Sequence, residues 1–478
     1  MKKVKTSEYI LAAKPVLKKL LAELLDRYEY ASVLADDSTG RVFGSSGKSK
    51  SISERSLLSE RGFCVRIIDN GTLAEHSFNE IDEDSIPEII DFMERELAEL
   101  KKTVPNGISL RKTDIKEPEE KTVFDRATEY GIHPEELGDG EIMRRLNALV
   151  AKTLESDERI TDAYVSLQYQ QYTKLFLSKN KDMTQSILWT VGTISVMVKQ
   201  GESVRSAYKP CSCLGGAEVL DELEKLTEEA CRDALDLLNS EHIAPGEYDC
   251  ICTPDVTGMI VHEAFGHGVE MDMFVKDRAL AKQYIGEYVA SPLITMHDGA
   301  GAIPQVASYF FDDEGVIGSD TIIIDKGILK QGIADSVSAA YLKTAPTGNG
   351  RREGYSNKAY TRMTNTIFEP GTSTVEEMIA SVKYGMLLSM ASSGMEDPKN
   401  WGIQCMVDMA REIKDGKLTG RVFSPVVLTG YVPDLLKSIS MISSEFEAGG
   451  SGFCGKGHKE WVKVSDGGPY IKARITLG

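Results

Sequence analysis

The chain has 478 residues, a formal net charge of −18, 41% hydrophobic residues and 27% charged residues. That length exceeds what one compact core serves and predicts two or more domains, with the balance of a globular rather than a disordered chain. The acidic excess, 73 Asp and Glu against 55 Lys and Arg, argues against a general nucleic-acid binder, which needs a basic face to displace counterions from phosphates.

The opening MKKVKTSEYILAAKPVLKKLLAELL reads as an amphipathic helix, with Leu17, Leu20, Leu21, Leu24 and Leu25 on one side. Lys14, Lys18 and Lys19 interrupt any apolar core and no small-residue cleavage site follows, so it does not read as a targeting signal. No stretch approaches the roughly 18 apolar residues of a membrane helix. A cytoplasmic protein without membrane contact is expected. The eight cysteines are thinly spread, which predicts small buried hydrophobes rather than a disulfide framework.

Short strands are predicted at 31–36, 41–44 and 62–70, the first two separated by the turn residues Asp37-Ser38-Thr39-Gly40. A helix follows at 87–101, then a polar linker at 102–122 and another helix at 140–156. From 159 to 199 the pattern is that of strands, with Val165, Leu167 and Tyr169 alternating with polar neighbours. A long helix is predicted at 218–238, with Leu223, Leu226, Ala230, Ala234 and Leu237 on one face.

The second half is glycine-rich. Hairpins are predicted at 322–329 and 412–418, the latter with a favoured Asp-Gly turn. Between them Thr374 and Glu377 form a capping-box spacing for a helix at 375–384, with Gly385 as its stop. The resulting fold class is α+β. Its two domains are an N-terminal mixed helix/strand domain, 1–215, and a β-rich C-terminal domain, 216–478, that carries a candidate metal-binding helix.

That helix starts at Thr253-Pro254 and runs into His262-Glu263-Ala264-Phe265-Gly266-His267, which holds two of only seven histidines. Two imidazoles with an adjacent carboxylate are metallopeptidase chemistry: the rings hold a metal and Glu263 takes a proton from water. The histidines are five apart, about 140° around a regular α-helix and too far to share an ion easily. A local i→i+5 turn brings them within about 50°, and Gly266 makes such a bulge or an early helix end cheap. The bland reading is a pair of ordinary core or surface histidines. A third ligand must come from elsewhere: His297, His458, Cys454, a carboxylate, or the pair Cys211 and Cys213. Cys454 sits among five glycines between Gly449 and Gly457, with Lys456 nearby to favour its thiolate.

The chain resembles the TldD/PmbA family, in its catalytic TldD-like branch. The resemblance is carried by the His262–His267 segment, Asp312-Asp313-Glu314-Gly315, Thr347-Gly348-Asn349-Gly350-Arg351-Arg352, Arg362-Met363-Thr364-Asn365-Thr366 and Gly452-Phe453-Cys454-Gly455-Lys456. It implies one zinc ion per chain on His262, His267 and Cys454, with Glu263 as the catalytic carboxylate. It also implies hydrolysis of small or unfolded peptides, and a homodimer or a heterodimer with a metal-free sister subunit. Arg362 and Asn365 are oxyanion or substrate contacts by resemblance. His458 stands where the family usually has a Gly-Gln pair, and could approach metal or substrate. The family's older label, modulator of DNA gyrase, gains no support from the acidic composition as direct DNA binding. Two competing functions are a non-catalytic peptide-binding subunit with a structural metal and an enzyme using Cys454 as nucleophile.

Overall fold

The computed structural model describes residues 1–54, 57–102, 112–456 and 459–478. Its first half is organised on an eight-stranded sheet. The main strands are β1 (Tyr30–Ser46), β2 (Glu60–Asp69), β3 (Thr72–Phe78), β4 (Ile160–Ser178), β5 (Lys181–Gln200) and β6 (Ser203–Cys213), in the order β6-β5-β4-β1-β2-β3. Helix α1 (Glu8–Leu25) buries Leu17, Leu20, Leu21 and Leu24 as its periodicity predicts. Together with α2 (Ile86–Lys102), it packs on Val33, Val65 and Leu175. Each buried leucine contributes about 1.5–3 kcal/mol. Helices α3 (Asp139–Glu155) and α4 (Val219–Leu237) cover the other end of the sheet, where Leu146 and Leu223 meet Val165 and Ile194.

The second half forms an eleven-stranded sheet. Strand β7 (Gly246–Cys252) lies between β8 (Tyr384–Asp397), parallel, and β9 (Ser465–Leu477), antiparallel. Strands Gly402–Lys414 and Val426–Tyr431 continue from β8 back to β9, so five strands close into a ring. Helix α5 (Pro254–Val261) leaves β7 and packs back on β9: a Cβ at Gly258 would lie 2.7 Å from Asp466 Oδ1 and 2.9 Å from Gly467 N. Only glycine lets the helix come that close. Buried ion pairs tie the halves together: Arg66 Nη1 donates to Glu314 Oε1 at 2.5 Å, Lys174 Nζ to Asp313 Oδ1 at 2.6 Å, and Arg352 to Glu75.

The elements depart from the sequence reading in two places. The expected turn at 37–40 does not exist. β1 runs through it, paired with β4 from Ser32↔Ser178 to Ser46↔Tyr164. Its turn-type residues serve tertiary contacts: Asp37 accepts from Arg61 at 2.8 Å, Asp36 pairs with Lys174, and a Cβ at Gly40 would sit 2.6 Å from Tyr169 O. The capped helix begins at Val375 with both capping-box bonds, but ends at Ala380. Gly385 is no helix stop. It lies in β8, where a Cβ would stand 1.9 Å from Asp249 O of β7. Of the predicted linker, 103–111 lies outside the described residues, and 112–118 carries neither helix nor strand.

Candidate metal centre

The pitch of the helix changes where the histidine spacing demands it. After α5, residues His262–Gly266 form a π turn in which the His267 N–H donates to His262 O, and His267–Val269 then tightens to 3-10. Gly266 is required here by space: its φ is −67°, which any residue adopts, but a Cβ would lie 2.1 Å from Met363 Sδ. The widened turn sets the two rings edge to face, with centroids 5.2 Å apart and planes at 89°. Each offers its Nε2 to Cys454 Sγ at 3.3 Å. The donor atoms of His262, His267 and Cys454 all lie within 4.8 Å of one another, the arrangement needed to hold one ion.

Cys454 arrives on a separate hairpin, β10 (Phe453–Lys456) with Lys459–Lys463, in the pairing Cys454↔Val462. Burial works to raise its thiol, but His267 and His262 overcome this and hold it down to about 5. Burial works to lower His262 and His267, yet the facing sulfur carries both above the ordinary range. The sulfur is thus poised as a thiolate, the form that binds metals. Lys456, expected to favour that thiolate, instead gives its Nζ to Asp272 at 2.8 Å and Glu270 at 3.2 Å.

Behind His267 stands Glu270. His267 Nδ1 faces its Oε2 at 3.3 Å, and the carboxylate is almost wholly buried. Burial opposes its charge, but Lys456 above all, with His267 and Arg362, holds it well below the carboxylate range. A carboxylate on the far nitrogen fixes the ring's tautomer and strengthens the ligand. His262 has a looser counterpart in Asp466, whose Oδ2 is 3.9 Å from His262 Nδ1. Burial pushes the Asp466 carboxyl up to about 6.

Residues 245–476, the region of the second sheet, match the sequence profile of the PmbA/TldA metallopeptidase C-terminal domain. A metalloprotease TldD homologue of Haemophilus influenzae is 32% identical over 363 residues, which span 73% of this chain and 74% of that one. The chain belongs to the PmbA/TldD metallopeptidase family. A zinc metalloprotease TldD homologue of Saccharolobus solfataricus is 34% identical over 48% of this chain and 51% of its own. The solved structure of TldE from Thermococcus kodakarensis shares the fold, with a TM-score of 0.73, 17% identity and coverage of 96% of this chain and 100% of that one.

Within this TldD-like site Glu263 is half-buried beside His262, and its Cγ packs where Gly394 of β8 leaves room: a Cβ there would come within 2.4 Å. The other sequence candidates are not among the three converging donors. Arg362 is fully buried and donates to Cys454 O at 2.9 Å, to Glu460 O and to Glu270. Its guanidinium holds the ligand hairpin and leaves no face for a substrate. Asn365 is also fully buried, and its Nδ2 donates to Gly299 O at 3.0 Å and Ser308 Oγ at 3.1 Å, tying a loop in place. His297 is held between Asp320 and Glu369, at 2.7 and 2.9 Å. Cys211 and Cys213 lie in β6, where Cys211 Sγ faces Gly192 O and Val219 O. His458 falls outside the described residues.

Two residues of the site escaped the sequence reading. Glu270 had a usable signal, a carboxylate one turn after a candidate ligand. Glu396 of β8 had none: both its carboxylate oxygens are buried without a hydrogen-bond partner, one of them 3.3 Å from where a Gly268 Cβ would stand. Burial raises it to about 9.

Proposed function

We propose that the chain is a zinc-dependent peptidase acting on small or unfolded peptides, with His262, His267 and Cys454 as ligands and Glu263 as general base. The observation that carries this reading is the convergence of two imidazoles and one thiolate, with Glu263 next in sequence to His262. Two nitrogens and a sulfur suit zinc better than calcium, magnesium or manganese, and the zinc metalloprotease name of the Saccharolobus relative agrees. When bound, zinc would supply a Lewis acid and a more acidic water. Glu263 then takes the proton of the attacking water and delivers it to the departing amine. Glu270 keeps His267 in its ligating tautomer, and Arg362 keeps the Cys454 strand in register with both rings.

Burial of Arg362 and Asn365 counts against their direct contact with substrate. Strand edges near the site suit a peptide that adds as an extended strand, recognised through its backbone more than its side chains. That favours unfolded peptides. The two-domain reading, 1–215 and 216–478, is retained as part of the proposal, with α4 crossing the seam to pack on β5 and β6. A dimer with itself or with a metal-free sister such as TldE, in the cytoplasm, completes it. Among the described residues no helix is long and apolar enough to cross a membrane.

The test is elemental analysis with a peptide-cleavage assay, with and without chelator. One zinc per chain and chelator-sensitive hydrolysis are expected. Glu263→Ala should keep the metal and lose nearly all hydrolysis, whereas His262→Ala should lose both. Full hydrolysis by metal-loaded Glu263→Ala protein would remove Glu263 from the reaction. A metal that is retained without any hydrolysis in the wild type would favour the peptide-binding subunit.

A further inference from the structure

Phe453 and Cys454 are successive residues of β10, so they face opposite sides of the ligand hairpin. Cys454 turns to the histidines. Phe453 and its cross-strand partner Lys463 turn to the first sheet, where Phe453 meets Trp189 edge to face at 6.2 Å and joins a small apolar cluster with Val306. Lys463 ends on this cluster. Its Nζ lies 4.7 Å from the ring centres of both Trp189 and Phe453, and all three residues line a cavity with about 80 Å³ of free space.

This amine is poorly matched as an ammonium. Lys463 is 6% exposed, and an ammonium carries three N–H donors. One meets Ser451 O at 3.1 Å. No carboxylate pairs with the amine among the described residues. The two ring faces attract a cation, but they replace only part of the hydration that burial removes. Burial accordingly lowers the ammonium to about 7. A lysine desolvated in an apolar pocket is a nucleophile near neutral pH, because its lone pair is free to react.

We propose that Lys463 is a carbonyl-reactive amine that holds a short aliphatic aldehyde as a Schiff base in this cavity. The ammonium first releases a proton to water. The Nζ lone pair then attacks the aldehyde carbon, and the C=O π pair moves to oxygen, which takes a proton shed by the nitrogen. The hydroxyl of this carbinolamine leaves as water with the proton first released, while the nitrogen pair closes the C=N bond. Ammonium and aldehyde thus give iminium and water, with charge conserved and no oxidant or reductant. The iminium retains one N–H, which matches the one carbonyl, Ser451 O. Its charge stays beside the two rings. At roughly 10–15 Å³ per water-sized site the free space admits a chain of about two to four carbons and excludes a fused aromatic ring system. The amine faces away from the histidines and uses no metal, so the site stands apart from the peptidase reading.

The test is incubation of the full chain at pH 7 with propanal and cyanoborohydride, which fixes an iminium as a secondary amine, followed by peptide mapping in a mass spectrometer. Lys463 should carry the propyl group first, about tenfold or more faster than any other lysine, because a surface ammonium near about 10.4 holds little free amine at this pH. Naphthaldehyde, too large for the cavity, should leave Lys463 unlabelled. Lys463→Met should lose the fast label. That variant replaces a poorly matched buried charge with an apolar chain, so it is expected to fold, with circular dichroism as the check. In the wild type, Lys463 left unlabelled by propanal, labelled no faster than surface lysines, or labelled equally by naphthaldehyde overturns the proposal without reference to any variant. Peptide hydrolysis by the same preparation reads the metal centre separately.

Discussion

His267 and Glu270 stand three residues apart across the turn where the helix changes pitch, with Nδ1 of one 3.3 Å from Oε2 of the other. Lys456 and Arg362 hold the carboxylate from behind. Glu270→Gln keeps the shape and removes the charge that strengthens the ring as a ligand. Zinc affinity should fall about 10- to 100-fold, measured by competition with a chromophoric chelator. Hydrolysis at saturating zinc should fall less than zinc affinity does. An unchanged zinc affinity would mean that Glu270 is only a core ion-pair partner.

The π turn predicts the behaviour of Gly266. Its Cβ would meet Met363 Sδ at 2.1 Å, and Met363 is fully buried, so the thioether has little room to retreat. Gly266→Ala should cost about 1–3 kcal/mol as overpacking and disturb the convergence of the two histidines. Adding Met363→Ala should restore metal stoichiometry more than it restores stability, because it opens a cavity of its own. Thermal melting and zinc content of the two variants decide this. A Gly266→Ala protein with wild-type melting and zinc would show that the turn tolerates a methyl group.

These two cases show what the sequence carries. The distortion at Gly266 was legible because the five-residue spacing, the glycine and the geometry of a helix are all local. Cys454 was one local candidate beside His297 and His458, and the resemblance singled it out, since nothing local says that a hairpin 187 residues beyond His267 comes back to it. Arg362 and Asn365 were oxyanion or substrate contacts by resemblance alone; both are fully buried and bonded to backbone carbonyls remote in sequence, partners that a short polar run does not announce. The missed continuity of β1 has the same origin. Asp36, Asp37 and Gly40 are turn formers in isolation, and the partners that keep them in a strand, Lys174, Arg61 and β4, are remote in sequence.

Glu396 gives the pH dependence. Burial raises its carboxyl from the ordinary 4.5 to about 9, so the folded chain holds this proton more tightly than the unfolded chain does. The contribution to stability is complete below about pH 4.5 and is lost as pH rises towards 9. Glutamine has no proton to lose. Glu396→Gln should therefore match the metal-free wild type at pH 4.5 and melt higher by several degrees (~3–5 °C) at pH 8. Zinc loading should shrink that gain, since a nearby cation favours the carboxylate. A melting difference that is flat across this range would place Glu396 in contact with solvent.

The ion pair of Arg66 and Glu314 gives the last prediction. Glu314 is 4% and Arg66 5% exposed, and Oε1 accepts from Arg66 Nη1 at 2.5 Å while Oε2 accepts from Ser336 N at 2.6 Å. The carboxylate thus joins the first sheet to the helix Ser336–Leu342 of the second half. Glu314→Ala leaves the guanidinium buried with Glu75 as its one carboxylate partner among the described residues, and should cost about 3–5 kcal/mol. Arg66→Met combined with Glu314→Leu removes both charges, and should recover most but not all of that loss, because Ser336 N still lacks its acceptor, worth about 1–3 kcal/mol. Denaturant unfolding of the single and double variants measures both steps. If the double variant is no more stable than Glu314→Ala, the loss comes from the orphaned Ser336 amide and the helix it starts, Ser336–Leu342, and the charge on Arg66 is irrelevant to how the two halves hold together.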